Sequence, residues 1–177
     1  MIQLDRVNDE VFIAVPSIVY LGDEEAAFLK QKAAQSPRKR ARICAHKSNE
    51  DGLHEMLIAI SAGSYIHPHK HIAKSESFHI VEGLVDVMIL DDQGALVDVV
   101  KLGEPGSGRS YYYRLSDSLF HTLVIRSEML VMHEVTNGPF NKEQTILAPF
   151  APAEGDGKAA SEYMERISQM ATSFKGG

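Results

Sequence analysis

Little in this chain announces a function by its abundance, and its scarcities exclude several classes. One cysteine, Cys44, stands among 177 residues, so no internal disulfide framework holds the fold; a buried structural thiol is a simpler reading than a reactive one. Nowhere do about 18 apolar residues follow one another, so a helical membrane span is not expected. The opening M-I-Q-L-D-R-V-N-D-E has neither the basic start nor the unbroken apolar run of a secretory signal, and the expectation is a cytoplasmic protein. Excess positive charge is missing too. Lys and Arg number 18 against 24 Asp and Glu, a formal net charge of −6, and no nucleic-acid-binding motif is visible. There is no glycine-rich phosphate loop. No serine, nor Cys44, sits in a nucleophile elbow, and the middle of the chain lacks the alternating strands and helices of a dinucleotide-binding fold. Hydrolases, Rossmann oxidoreductases and nucleic-acid binders are therefore the poorest fits.

What is present describes a single substantial core. The hydrophobic fraction is 44% and the charged fraction 24%, ordinary for a globular protein. Residues 1–40 read as a strand-and-helix extension. Apolar runs around Ile2–Leu4 and Val11–Val15 suggest edge strands, the second closed by Pro16. From Asp23, D-E-E-A-A-F-L-K-Q-K-A-A-Q is rich in helix formers, with acids first and Lys30 and Lys32 later, until Ser36-Pro37 stops it. Residues 41–135 carry many short β segments separated by glycine-containing turns, the pattern of an antiparallel barrel, closed or double-sheeted. Both faces of L-H-E-M-L-I-A-I are largely apolar, as in a sheet covered on both sides. Residues 136–157 read mainly as a surface strap. Residues 158–172 form an amphipathic helix candidate, with Tyr163, Met164, Ile167, Met170 and Ala171 on the side that packs on the core.

The chemistry concentrates between Gly63 and Gly83. His67, His69 and His71 share one strand parity and face the same way on a regular strand. Three neighbouring imidazoles fill an apolar interior poorly, because each buried ring needs partners for both nitrogens. A transition metal resolves this by taking one nitrogen from each ligand. Glu76, beyond a short connector, can add a carboxylate oxygen, giving a donor set suited to iron, manganese, zinc or nickel. Pro68 can bend the strand and turn His67 away, into a supporting hydrogen bond. His79 has the opposite parity from Glu76 and is expected to point away.

Gly63, His69, His71, Glu76 and Gly83, with the spacing in which they stand here, resemble the first signature of the cupin superfamily. In that family two histidines and the glutamate bind a metal inside a small barrel. The resemblance implies an all-β double-stranded β-helix, a jelly-roll-like barrel, here with short N-terminal and C-terminal helices. His121, in S-D-S-L-F-H-T-L-V-I, is the counterpart of the histidine in the second cupin signature, although Ser116, Ser118 and Ile125 depart from that signature. The resemblance therefore implies His69, His71, Glu76 and His121 as ligands of one divalent transition metal per chain. More narrowly, residues 20–152 resemble the WbuC-type cupin-fold metalloproteins found among bacterial polysaccharide biosynthesis genes. That likeness is carried by S-P-R-K-R-A-R-I-C-A-H, L-H-E-M-L-I, H-P-H-K-H-x-x-K-S-E-S-F-H, Y-Y-Y-R-L and H-E-V-T-N-G-P-F.

Around the metal site, His67, His54, Glu55, Tyr111, Tyr113 and His133 are candidates for proton transfer or ligand orientation. Cys44, His46, Arg114 and Glu134 are further candidates for the pocket. His54 and Glu55 cannot both point inward on a regular strand, and His133 and Glu134 pose the same alternative. Tyr111 and Tyr113 share a face and would orient an oxygen-rich ligand through their hydroxyls, or fill a barrel end with their rings. The basic run Arg38, Lys39, Arg40, Arg42 is either solvated surface or a contact for an acidic small molecule. The expected partner is a small oxygenated or carbohydrate-derived molecule, transformed by isomerase-like or oxygenase-like chemistry. The competing reading is a non-catalytic, metal-dependent sugar or small-molecule binding protein. Barrel edges and amphipathic terminal segments also suit a homodimer.

Overall fold

A computed structural model describes residues 1–174 of the chain. The β segments are β1 (Leu4–Arg6), β2 (Val11–Ala14), β3 (Arg40–Cys44), β4 (Leu53–Ser61), β5 (His69–His71), β6 (Glu76–Glu82), β7 (Leu84–Leu90), β8 (Leu96–Gly103), β9 (Tyr112–Leu115), β10 (Phe120–Ile125), β11 (Met129–Asn137) and β12 (Thr145–Leu147). Two helices, α1 (Asp23–Gln35) and α2 (Gly157–Ser173), accompany them, the first after β2 and the second after β12. The strands sort into a seven-stranded sheet, β1-β2-β3-β4-β11-β6-β9, and a five-stranded sheet, β12-β5-β10-β7-β8. Among the described residues neither sheet closes on itself.

The largest apolar cluster lies between the sheets. Ile60, Phe78, Ile80 and Met132 of the seven-stranded sheet meet Val85, Val87, Ile89, Leu102 and Leu123 of the five-stranded one. Alternate residues on the outer faces pack under the helices, which explains why so many strands are apolar on both sides. Leu29 and Ala33 of α1 cover Phe12, Ala41, Ile43, Leu57, Ala59 and Val131. Tyr163, Ile167 and Ala171 of α2 cover Met88, Leu90, Phe120 and Val124 on the far side. The result is four layers, helix, sheet, sheet, helix. Under α2, buried Asp86 accepts hydrogen bonds from Arg109 at 3.0 Å and Arg126 at 2.7 Å, and Arg126 reaches on to Ser168 at 2.6 Å.

Local chemistry explains the starts of both helices. Glu25 of α1 reaches back to the Gly22 amide at 2.9 Å and also accepts from the Ile2 amide at 2.9 Å, so one carboxylate caps the helix and ties down the N-terminal segment. Asp156 accepts from the Ala159 amide at 3.1 Å and caps α2.

Two features differ from the sequence expectations. β1 and β2 form an antiparallel hairpin at the edge of the larger sheet, as the sequence suggests, but β2 joins β3 in parallel. The segment after residue 136 also contributes β12, which pairs with β5 and so touches the histidine strand.

The chain crosses between the sheets twice in quick succession. β5 lies in the small sheet, β6 in the large one and β7 in the small one again. Only Gly83 separates β6 from β7, with φ of 90°, and an added Cβ would strike the Met129 carbonyl and the Ser127 hydroxyl. Glycine is required by both conformation and space. These crossings bring Glu76 from one sheet opposite the histidines of the other.

Candidate metal centre

His69 and His71 project inward from β5, with Lys70 between them turned outward against the Phe120 ring. His121 stands directly opposite His69 across the β10–β5 pair. Glu76, at the start of β6, approaches from the other sheet. One donor atom from each of His69, His71, Glu76 and His121 falls within 4.8 Å of the others. The His71 Nε2 to Glu76 Oε2 distance is 3.1 Å, and His121 Nε2 stands 3.3 Å from Glu76 Oε1.

The other nitrogen of each ring is engaged away from this point. His69 Nδ1 donates to the His67 carbonyl at 2.9 Å, and His121 Nδ1 donates to the Leu119 carbonyl at 3.1 Å. His71 Nδ1 is 3.2 Å from the Thr145 hydroxyl of β12. A carbonyl can only accept, so the protons of His69 and His121 reside on Nδ1 and their Nε2 atoms face the shared centre. These partners fix tautomer and ring orientation, as the outer contacts of metal-bound imidazoles do.

Two buried atoms at the centre lack a properly aligned partner. Glu76 Oε1 and His121 Nε2 are close to each other yet make no hydrogen bond of acceptable geometry, and their residues are 5% and 1% exposed. Unpartnered buried polar atoms are costly. A cation between three imidazole nitrogens and one carboxylate would satisfy both, so the residues present fit a divalent transition metal.

The electrostatics agree with that fit. Burial lowers His69 to about 4, with His121 adding to the shift. Burial alone would raise Glu76, but its contacts with His121 and His71 and the nearby imidazole charges reverse the sign and hold it ionised. Burial likewise opposes charge on His121, and Glu76 outweighs it to raise that imidazole. Glu134 goes the other way. Loss of solvation raises it to about 8, Glu76 adds to the shift, and Arg42 opposes it. Neighbouring carboxyls on one wall are thus driven apart, one ionised and one holding its proton near neutrality.

The centre opens into a cavity of about 870 Å³ between the sheets. His54, Met56, Glu134 and Thr136 line its wall from the large sheet, beside Arg42 and Cys44 of β3. The alternation along β4 and β11 selects between the paired candidates. His54 and Glu134 face the cavity; Glu55 and His133 lie on the opposite face, 3.8 Å from each other. His54 stacks on His46 with ring centroids 4.1 Å apart, and its buried Nε2 lacks a partner. His67 lines the cavity but donates from Nε2 to the Ala148 carbonyl at 3.1 Å, and its own carbonyl orients His69. It stands outside the four-residue cluster.

Tyr111 and Tyr113 part company. Tyr111 precedes β9, is 51% exposed, and rests near His79 on the outside. Tyr113 is buried against Phe78 in the core, its hydroxyl unpartnered, and burial with Glu76 nearby raises its pKa. Neither lines the cavity. Arg114 is exposed and contacts Ser116 and Ser75. Thr145 was not among the sequence candidates; its strand of three residues is too short to show a pattern. Ser118, one of the departures from the second cupin signature, donates to the His71 carbonyl at 2.7 Å and ties the β10 approach to the histidine strand. A second cavity of about 680 Å³ lies against α2 and gathers no cluster of metal-ligating side chains among the described residues.

Comparison with known proteins adds to the fold more than to the chemistry. A family model described as a domain of unknown function, DUF6016, matches residues 22–102, which include His69, His71 and Glu76 but not His121. No curated protein matches. Protein SO0799 from Shewanella oneidensis superposes with a TM-score of 0.52 at 11% identity, over 72% of this chain and 84% of that one. That likeness is one of fold. Weaker superpositions include the Cnp3 cupin domain of Schizosaccharomyces pombe, with a TM-score of 0.42 at 12% identity over 56% of this chain and 64% of that one. A mutant form of Bacillus subtilis oxalate decarboxylase OxdC gives 0.44 at 19% identity over 55% of this chain and 24% of that one. At such scores neither bears on what this chain does.

Proposed function

We propose that this chain is a cupin-type metalloprotein, of the WbuC-like kind, whose two sheets act as a jelly-roll-like barrel around one divalent transition metal. The ligands are His69, His71, Glu76 and His121, and the metal's role is to bind and transform a small oxygenated or carbohydrate-derived molecule. The observation that carries this reading is the convergence of three Nε2 atoms and one carboxylate, with each Nδ1 already engaged elsewhere.

When bound there, a divalent metal supplies a Lewis acid that polarises an oxygen of the ligand and steadies developing negative charge. The protein's own groups do the rest. Glu76 and the three imidazoles hold their positions through the contacts described above, so little reorganisation accompanies binding. Glu134 faces the cavity with its proton retained near neutral pH, poised to donate to a ligand oxygen or exchange a proton with it. His54 offers a buried, unpartnered imidazole nitrogen on the same wall. Glu76 and His121 are buried at this end of the cavity, which strengthens their polar contacts.

Purification without added metal, followed by elemental analysis, tests the site. Turnover of a sugar or sugar acid that vanishes in His69→Ala while the fold persists identifies an enzyme. Stoichiometric binding without turnover identifies a metal-dependent binding protein instead. Absence of any bound transition metal overturns both.

A further inference from the structure

Among the described residues, five cationic side chains line the cavity apart from the metal site, and two of them, Lys47 and Lys74, donate to backbone carbonyls, of Ala14 and Pro16 and of Pro139. The other three are Arg38, Arg40 and Arg42. Arg38 pairs with Glu10 at 3.2 Å and with Glu154 at 3.1 Å, and Arg40 pairs with Glu154 at 2.7 Å. Among the described residues, Arg42 has no carboxylate within ion-pair distance, although it alternates along β3 with buried Ala41 and Ile43 and therefore projects to the cavity side. Its neighbours place the guanidinium. Its charge acts on the Cys44 thiol, on His46 and on Glu134, all of which line the same cavity. The basic run of the sequence thus places two paired arginines and one free one on this cavity.

We infer that Arg42 anchors an anionic oxygen group, a carboxylate or a phosphate, on the ligand whose other end reaches the His69, His71, Glu76 and His121 centre. A guanidinium fork suits both anions, and both retain their charge at neutral pH. None of the cavity carboxylates is paired with it: Glu10 and Glu154 are paired with the other arginines, Glu76 belongs to the metal centre, and Glu134, which feels the Arg42 charge, stands beyond ion-pair distance and holds its proton near neutrality. The span sets the size of the ligand. From β6 to β3 there are three strand intervals, through β11 and β4, or about 14 Å across the sheet, and the register sets Arg42 in the row of Ile58, Met132 and Ile80, four residues or about 13 Å along β6 from Glu76, so the backbones stand roughly 19 Å apart. Arg42 and Glu76 reach into that distance from either end, leaving room for a sugar-sized ring between the two contacts. A ligand bound this way is held at two points, and its reacting end is oriented under Glu134. This assignment rests on the metal reading above.

The test measures binding to the metal-loaded protein by calorimetry, with glucuronate, glucose 6-phosphate and glucose as probes. Acetohydroxamate serves as a probe that needs only an accessible metal. The wild type is compared with Arg42→Ala and Arg42→Lys, exposed-residue variants whose folding is checked by thermal melting. Expected is binding of glucuronate or glucose 6-phosphate at least about tenfold tighter than glucose, lost by about tenfold or more in Arg42→Ala and partly kept in Arg42→Lys, with acetohydroxamate unchanged. Preference between the two anions tells carboxylate from phosphate. Equal binding of charged and neutral sugars, no binding of any sugar, or undiminished anion binding in Arg42→Ala overturns the role of Arg42. If the protein holds no metal and ignores acetohydroxamate yet binds an anionic sugar through Arg42, the metal reading fails and the anchor stands. If it does neither, both fall.

Discussion

Thr145 illustrates how closely the site depends on single contacts. Its hydroxyl is the partner of His71 Nδ1, and Thr145→Val keeps the β-branched shape while removing that partner. Metal affinity should fall by about tenfold or more, with little change in folding, as measured by competition with a chelator. An unchanged affinity would mean that His71 needs no such support. Glu134 gives a pH-dependent prediction in the metal-free protein. Its folded pKa is raised to about 8 from an ordinary value of 4.5, so its contribution to stability is fully present below the lower value and is lost as pH rises through the higher one. The melting temperature of Glu134→Gln relative to wild type should therefore climb between those two pH values, and a pH-independent difference would contradict the assignment. The sequence pointed to a metal through His67, His69, His71 and Glu76 in one stretch, but His121 came only through the resemblance to the second cupin signature, and His67 stands outside the cluster. Sequence alone could not choose between His54 and Glu55 or between His133 and Glu134. Strand parity says only that members of a pair face apart, and which one is inside depends on which side the second sheet covers. Tyr111 was misleading for a related reason: alternation from Tyr113 holds only while the strand lasts, and Tyr111 lies beyond its end.

At the scale of elements, Glu25 serves as two caps. Gly22 has no side chain to offer α1, so the reciprocal half of a capping box is missing and Glu25 alone satisfies the Gly22 and Ile2 amides. Burial opposes its charge, but those amide hydrogen bonds prevail and its pKa is lowered from 4.5. Its stabilisation is present above that value and is lost as pH falls through the depressed folded pKa. Glu25→Gln should cost about 1 kcal/mol at neutral pH, and the difference should shrink on acidification. Chemical denaturation at several pH values checks both statements. Helix boundaries were legible because each has a local cause: Ser36-Pro37 ends α1, and a spaced apolar face runs through α2. β12 and the parallel β2–β3 pair were not, since three or four residues carry no periodicity and pairing direction is decided by distant strands.

For the molecule as a whole, the metal centre joins the two sheets. Three ligands come from the small sheet and Glu76 from the large one, beside the apolar layer that already binds them together. β5 has only brief pairings, with β10 at His69 and with β12 over three residues. Metal binding should therefore stabilise the native state increasingly as metal concentration rises, and a chelator should lower the melting temperature. The layered arrangement was readable in outline from strands apolar on both faces, but their division into sheets of seven and five was not. That division depends on two crossings around Glu76, which local sequence does not encode beyond the obligatory glycine at Gly83.

The most direct measurement is the transition-metal content of protein purified without added metal, taken together with thermal melting, for the wild type and for His121→Ala. The account predicts close to one metal ion per chain in the wild type, with much less metal and a lower melting temperature in the variant. A folded wild-type protein that carries no transition metal and melts at the same temperature with and without one added would contradict it.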